Sequence, residues 1–222
     1  LLTLIPRASL RSFWESLLLP ALAILIMLYT RAWLVNRDLG GCLGNGQYML
    51  FKRDVYEAIG GHKAVMDMII EDYALARLVK RHGHRLRLYL ASDALDVRMY
   101  SGFRELWKGW TKNIYLGIGS PLKAFLGIVC LSAIGVAPYL LAVYGLIFRE
   151  FWLIALSMPI ILILTVAGLM ICASADVKPY MAILVPLAIA GVVAIIIGSM
   201  IKYYRGCAEW KGRSYIPKIV KI

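Results

Sequence analysis

The sequence predicts an α/β domain followed by an all-α transmembrane bundle, and composition and charge distribution lead to that fold class. Hydrophobic residues make up 61% of the 222 residues, well above the roughly 45–50% of a soluble domain. The excess lies in the second half, where three runs are nearly free of charge: 124–148, 151–173 and 180–201. Each run is long enough, at about 1.5 Å per residue, to cross a hydrocarbon core of about 30 Å as a helix. We therefore predict an integral membrane protein.

The first half has the mixed composition of an α/β domain. Its patterns predict a strand over 47–51, a short helix over 54–59 that ends at a glycine pair, an amphipathic helix over 71–82, and a strand over 85–90. This alternation of strands and helices is typical of the α/β class. Residues 1–11 are expected to form a loop.

The predicted parts follow one another along the chain. They are an α/β domain over residues 1–115, which includes an interfacial helix at about 12–35, a bundle of about three transmembrane helices over 116–205, and a basic, aromatic tail over 206–222. Ser12 and Glu15 have the spacing of a capping box at the start of the interfacial helix. Its aromatic residues and Arg31 favour the headgroup boundary over a crossing.

The formal net charge of +12 is interpreted as a membrane feature and not as nucleic-acid binding. Basic residues flank the apolar runs, as expected for contact with lipid headgroups and for the positive-inside rule. Three crossings would place the basic tail on the side opposite the α/β domain, whereas the rule favours a cytosolic tail. Either one apolar run does not cross, or the rule fails here.

An acidic pair, Glu71 and Asp72, begins the predicted helix over 71–82. The helix dipole alone favours carboxylates at this position, so the pair has a structural interpretation. The functional interpretation is a general base, which must lie within hydrogen-bond reach of an acceptor hydroxyl group. Spacing alone does not decide between them.

Several segments together resemble the second half of a family 2 glycosyltransferase domain. They read GNGQYMLFKRD over 44–54, YEAIGGH over 56–62, EDYALA over 71–76, WKGWTKN over 107–113 and WKGRSY over 210–215. The chain is most similar to the membrane-bound bacterial branch that includes carotenoid-acid and hopanoid-associated glycosyltransferases.

The resemblance implies a GT-A fold, a nucleotide-diphosphate sugar donor, a lipid acceptor and a divalent metal, Mg or Mn. It also implies a bacterial cytoplasmic membrane with the catalytic domain in the cytosol, and inversion at the sugar. The metal-binding Asp-x-Asp of such enzymes precedes the segments matched here. We therefore expect an N-terminal part to be missing and assign no metal ligand within this chain.

The same resemblance identifies the candidate site residues. It implies that Asp72 is the catalytic base and that Glu71 shapes the pocket beside it. The candidate substrate-binding residues are Asn45, Gly46, Gln47, His62, Trp107, Lys112 and Arg213. Interfacial anchoring is the competing interpretation for Trp107, and headgroup binding for Lys112.

Two other functions stay open at this point. A processive polysaccharide synthase is one, although Phe103-Arg104-Glu105-Leu106-Trp107 keeps only the Trp of the Gln-x-x-Arg-Trp motif of such enzymes. The other is a non-enzymatic membrane protein, such as a transport subunit or scaffold, for which charges inside the apolar runs would be expected. The charged residues between the apolar runs are predicted to lie in loops that connect the helices.

Overall fold

The structure is a computed structural model that describes residues 1–37 and 40–206, together with the backbone of residues 208–210 and 213–215. The strands are β1 (Leu2–Ala8), β2 (Met49–Leu50), β3 (Arg87–Val97), β4 (Ala208–Trp210) and β5 (Arg213–Tyr215). The α-helices are α1 (Phe13–Thr30), α2 (Arg53–Ala58), α3 (Glu71–Arg81), α4 (Phe103–Ile118), α5 (Pro121–Gly135), α6 (Ala137–Phe148), α7 (Phe151–Ser174) and α8 (Val185–Tyr204). Short 3-10 helices cover Ala32–Arg37, Gly61–Val65 and Pro179–Leu184.

The chain divides into two compact units. The first unit contains Leu1–Ser9, Ala23–Met99 and Gly206–Ile222, and the second contains Leu10–Leu22 and Tyr100–Arg205. Helix α1 therefore contributes residues to both. The domain boundaries expected near residues 115 and 205 stay a prediction.

A three-stranded sheet in the order β2-β1-β3 is the centre of the first unit. Strand β1 pairs antiparallel with β2 and parallel with β3, with Leu2 opposite Leu50 on one side and Arg87 on the other. The expected loop over residues 1–11 is therefore wrong. Pro6 is compatible with the strand because it lies beyond the residues that pair with β2 and next to a bulge, where a missing N–H group costs little.

The other sheet predictions are correct in type but differ in length. The strand expected over 47–51 is only Met49–Leu50, and the strand expected over 85–90 runs over Arg87–Val97. Pairing with β1 sets both lengths, and the partner strand was not foreseen. The short helix that ends before Gly60 is confirmed as α2.

Helix α3 is held to this unit by one apolar face. Leu75 and Val79 are fully buried and pack with Val55, Ile59 and Val65 from α2 and the segment after it. Burying a side chain of this size stabilises the fold by about 1.5–3 kcal/mol. The helix therefore has a fixed N-terminus, where Glu71 and Asp72 lie. Its end at Arg81 agrees with the predicted end to within one residue.

The second unit consists of long helices. Residues of α4 lie close against α8 at Gly198, where an added Cβ would be 3.1 Å from the Trp107 ring and 3.2 Å from the Thr111 side chain. The Ser199 hydroxyl accepts a hydrogen bond of 3.1 Å from the Tyr115 N–H. The predicted capping box at the start of α1 is confirmed, because the Glu15 N–H donates to Ser12 Oγ and the Ser12 hydroxyl donates to Glu15 Oε1.

Four helical segments of the described chain are long and apolar enough to cross a membrane. They are Phe13–Arg37, Pro121–Phe148, Phe151–Ser174 and Pro179–Tyr204. The last three correspond to the predicted bundle. The first corresponds to the predicted interfacial helix, whose placement along the headgroup boundary stays a prediction.

Candidate active site

The Asp72 carboxylate lies at the first turn of α3 and is bound from outside its own helix. Its Oδ2 atom accepts a hydrogen bond of 2.9 Å from the Gly46 N–H, and its Oδ1 atom accepts one of 2.7 Å from the Tyr73 N–H. Ile70 is the N-cap residue of α3 and makes no side-chain cap. The contact with Gly46 fixes the direction of the carboxylate, which a simple helix-start charge would not require.

Glycines allow the loop before β2 to approach α3 this closely. A Cβ atom added at Gly44 would be 2.3 Å from the Asp72 carbonyl oxygen, and one added at Gly46 would be 3.3 Å from Asp72 Oδ2. The first distance is impossible for a real Cβ atom, so Gly44 is required by the approach of backbone to backbone. Gly46 is among the predicted site residues and Gly44 is not, although both belong to the same Gly-Asn-Gly segment.

A buried threonine on β1 holds the loop in place. The Asn45 N–H donates to Thr3 Oγ1 at 2.9 Å, and the Thr3 hydroxyl is 3.1 Å from the Tyr48 carbonyl oxygen. The Asn45 side-chain amide donates to the Leu4 carbonyl oxygen at 2.8 Å and lies 3.2 Å from Gln47 Oε1. Asn45 therefore ties the loop to the sheet, whereas Gln47 is exposed beside it. Thr3 is not among the predicted site residues, because the sequence pattern predicts a loop where β1 lies.

The pKa of Asp72 is raised above its usual value, chiefly because burial disfavours the ionised carboxylate. The hydrogen bonds from the Gly46 and Tyr73 N–H groups act in the opposite direction, and the nearby charge of Glu71 raises the pKa further. A carboxylate with a raised pKa is a stronger base than a solvated one. In the same loop, burial raises the pKa of the Cys42 thiol to about 11, so this thiol is protonated at neutral pH.

The remaining candidates of the first unit have different surroundings. Glu71 is exposed next to Asp72. His62 is exposed, its Nδ1 atom is 2.7 Å from the Tyr56 hydroxyl, and its N–H donates to the same hydroxyl oxygen at 3.1 Å. The structure thus joins Gly46 directly to Asp72 and joins Asn45 to Gln47, while His62 is bound to Tyr56.

The last three candidates lie on α4 and in β5. Trp107 and Lys112 belong to the second unit, where both are half-buried on α4. Arg213 lies in β5, where it is paired with Trp210, and its side chain is outside the described residues. Their roles in binding substrate stay predictions.

The described residues do not fit a divalent metal. Among them, no three His, Cys, Asp or Glu side chains lie together as metal ligands would. Asp93 and Asp96 both belong to β3. No step of the chemistry below is therefore assigned to a metal held by this part of the chain.

The chain belongs to glycosyl transferase family 21, which is of the family 2 type, because the model of that family matches residues 19–171. The matched region contains the loop, Asp72 and Trp107.

Curated relatives of this chain are the 4,4'-diaponeurosporenoate glycosyltransferases of Staphylococcus aureus. Those of strains USA300, NCTC 8325 and MRSA252 are each 28% identical over 176 residues. The alignment covers 77% of this chain and 46% of each relative. The chain thus spans less than half the length of the curated relatives it matches. No solved structure matches it.

Proposed function

We propose that this chain is the acceptor-side half of a GT-A glycosyltransferase that acts at a membrane. The donor is a nucleotide-diphosphate sugar, and the acceptor is a lipophilic molecule such as the carotenoid acid named for the relatives. Membership of glycosyl transferase family 21 supports the reaction class. The long apolar helices support a site that a lipid acceptor can reach by diffusing within the bilayer.

The observation that carries the proposal is the contact between Asp72 Oδ2 and the Gly46 N–H at 2.9 Å. It holds one carboxylate at the edge of the first unit beside an exposed loop. Positioned general bases contribute about 10²–10⁴-fold to a rate.

In the proposed step, an acceptor oxygen attacks the anomeric carbon of the donor sugar. The bond from that carbon to the diphosphate oxygen breaks, and the nucleoside diphosphate leaves. The Asp72 carboxylate takes the proton from an acceptor hydroxyl as the new bond forms. Direct displacement of this kind inverts the configuration at the anomeric carbon.

The need for a base depends on the acceptor group. A hydroxyl group keeps its proton at neutral pH, so its attack requires a base. A carboxyl group has a pKa of about 4 and has already lost its proton. With an acid acceptor, Asp72 would therefore orient the reactants and would not remove a proton.

The test uses membranes that contain the full-length protein, as wild type, Asp72→Asn and Asp54→Asn. Asp54 is the matched control, because it is an exposed carboxylate in the first turn of α2. Radiolabelled nucleotide sugars are supplied, and label in the lipid extract is counted. With an acceptor that carries a hydroxyl group, we expect label in the lipid extract for wild type and Asp54→Asn. The label should be much lower for Asp72→Asn.

Equal label in all three proteins, with a hydroxyl acceptor, would remove Asp72 from the reaction. Label that enters only an insoluble polymer would favour a processive synthase. A failure of Asp72→Asn to accumulate in membranes would be recognised by immunoblot, and Asp72→Glu would then replace it, since it keeps the charge and moves the carboxylate.

A further inference from the structure

The positions of two helix ends in the second unit determine whether the chain crosses the bilayer an even or an odd number of times between α5 and the end of α8. Helices α5 and α8 run antiparallel. An added Cβ at Gly135 would be 2.3 Å from Ile189 Cδ1, and Ile128 lines the same groove as Ile197 and Ile201. Contacts therefore move towards the start of α5 as they move towards the end of α8.

The start of α5 and the end of α8 consequently lie at the same membrane face. A second contact agrees with this placement. The Tyr115 hydroxyl, near the end of α4, is 3.0 Å from the Tyr204 hydroxyl at the end of α8. Helix α4 ends only a few residues before Pro121 begins α5. A chain that leaves one face and returns to it must cross an even number of times.

Three apolar segments lie between these two points, so the three cannot each cross once. Segment Pro121–Phe148 is interrupted at Val136, which has φ −120° and ψ −47° and is followed by Pro138. Its helices have 15 and 12 residues, or about 22 and 18 Å at 1.5 Å per residue, and each is too short for about 30 Å of hydrocarbon. Helix α7 has 24 residues without a break, about 36 Å.

We propose that α5 and α6 form a re-entrant helix pair that enters the bilayer from one face and returns to the same face without reaching the other. Only α7 and the segment Pro179–Tyr204 then cross the bilayer after α4. The pair presents an apolar surface to the hydrocarbon of the bilayer. Most of its large side chains are exposed, including Phe125, Leu140 and Leu146.

Exposed aromatic residues mark the place where α6 returns to the membrane–water interface. Tyr144 and Trp152 are exposed around the tight turn at Arg149, and Tyr and Trp are enriched at membrane–water interfaces. At the other end of α7, an added Cβ at Gly168 would contact Ala182 and Val185. The chain thus folds back after α7, as expected where one crossing follows another.

The charges of the second unit agree with this arrangement. Lys123, Lys202 and Arg205 lie at the face that receives the start of α5 and the end of α8, and in the proposed arrangement Arg149 joins them there. The opposite face receives the turn with Asp176 and Lys178. The positive-inside rule then makes the first face cytosolic, which removes the conflict that three crossings create for the basic tail.

The test maps three positions by labelling single cysteines in the full-length protein, after the native cysteines are replaced by serine or alanine. The variants are Glu150→Cys, Asp176→Cys and Arg205→Cys, in sealed vesicles of each orientation, with a maleimide that does not cross membranes. We expect Glu150→Cys and Arg205→Cys to be labelled from one side, and Asp176→Cys only from the other.

Every other pattern overturns the proposal. Label at Glu150→Cys from the side opposite Arg205→Cys would mean that Pro121–Phe148 crosses as one segment, and Asp176→Cys on the side of Arg205→Cys would mean that α7 does not cross. Arg149→Cys replaces Glu150→Cys if that variant does not insert.

A disulfide pair tests the antiparallel packing separately. Ile128→Cys with Ile197→Cys should cross-link on oxidation, whereas Ile128→Cys with Leu187→Cys should not. Cross-linking of the second pair in place of the first would overturn the helix order on which the count of crossings depends. Neither experiment depends on catalysis. Their outcome is therefore independent of the outcome of the test of the proposed function.

Discussion

Helices α2 and α3 begin in the same way in the sequence, and the structure treats their carboxylates differently. Both carry an aspartate in the first turn, and neither has a side-chain cap. Asp54 on α2 is exposed, whereas Asp72 on α3 is half-buried and bound by the Gly46 N–H. An acidic helix start is therefore not enough to mark a candidate site. The hydrogen bond from the glycine loop, which comes from another part of the chain, distinguishes Asp72 from Asp54.

The largest effect is expected on the rate of sugar transfer, which should depend on Asp72 but not on Asp54, and only strongly so with a hydroxyl acceptor. With an acceptor alcohol, Asp72→Asn should lower the transfer rate by about 10²–10⁴-fold, because a hydroxyl needs a base. With the matching carboxylic acid, the loss should be much smaller. The measurement is the initial rate with each acceptor, and Asp54→Asn should equal wild type with both. The same large loss with both acceptors would assign Asp72 to positioning only.

The second prediction concerns how activity and stability depend on pH through the Asp72 carboxyl group. Only the ionised carboxylate is a base, so activity with a hydroxyl acceptor should fall about tenfold per pH unit below the raised pKa of Asp72. Stability changes in the opposite direction. A carboxyl group whose folded pKa is raised stabilises the fold below its unfolded pKa, and this contribution is lost as the pH rises through the folded value.

Thermal unfolding of the detergent-solubilised protein checks this sign. Wild type should lose stability relative to Asp72→Asn as the pH rises from the ordinary aspartate value through the raised pKa of Asp72, because Asn has no proton to lose. Asp54→Asn should parallel wild type over the same range. A wild type that gains stability relative to Asp72→Asn over that range would mean that hydrogen bonding to the ionised form outweighs burial.

The third prediction tests the close approach of the loop. Gly44→Ala should destabilise the first unit by about 1–3 kcal/mol, as overpacking does, because the new Cβ would meet the Asp72 carbonyl oxygen. Activity should fall as the carboxylate moves. The control is Gly102→Ala, where nothing lies within 4 Å of the added atom. Melting temperatures of the two variants decide the point, and equal values would show that the loop can move away at little cost.

The smallest effect is expected at the strand that supports the loop. Thr3→Val keeps the shape and removes the hydroxyl that accepts from the Asn45 N–H, which should cost about 1–2 kcal/mol because a buried donor loses its partner. Thr30→Val is the control, since its hydroxyl bonds only within α1, to the Ile26 carbonyl oxygen. Unfolding measurements that give the same small change for both would remove Thr3 from the support of the loop.

Local patterns predicted part of the candidate site and none of its contacts. The position of Asp72 at a helix start follows from the periodicity of the helix and its terminal glycine, which neighbouring residues determine. The hydrogen bond between the Gly46 N–H and Asp72 joins residues far apart in the sequence. No local spacing of residues predicts it. The role of Thr3 does not follow from local sequence for the same reason, because its strand is defined by pairing with β2 and β3.

The sequence by itself determined that long apolar helices follow an α/β part, that α3 begins at an acidic pair, and that a capping box begins α1. These features depend on composition and on residues within a few turns of one another. Tertiary structure alone decided the parallel pairing of β1 with β3, the seating of Asp72 under the glycine loop, and the antiparallel packing of α5 with α8. Each of these depends on contacts between distant segments, whose free energy is gained only when the whole unit folds.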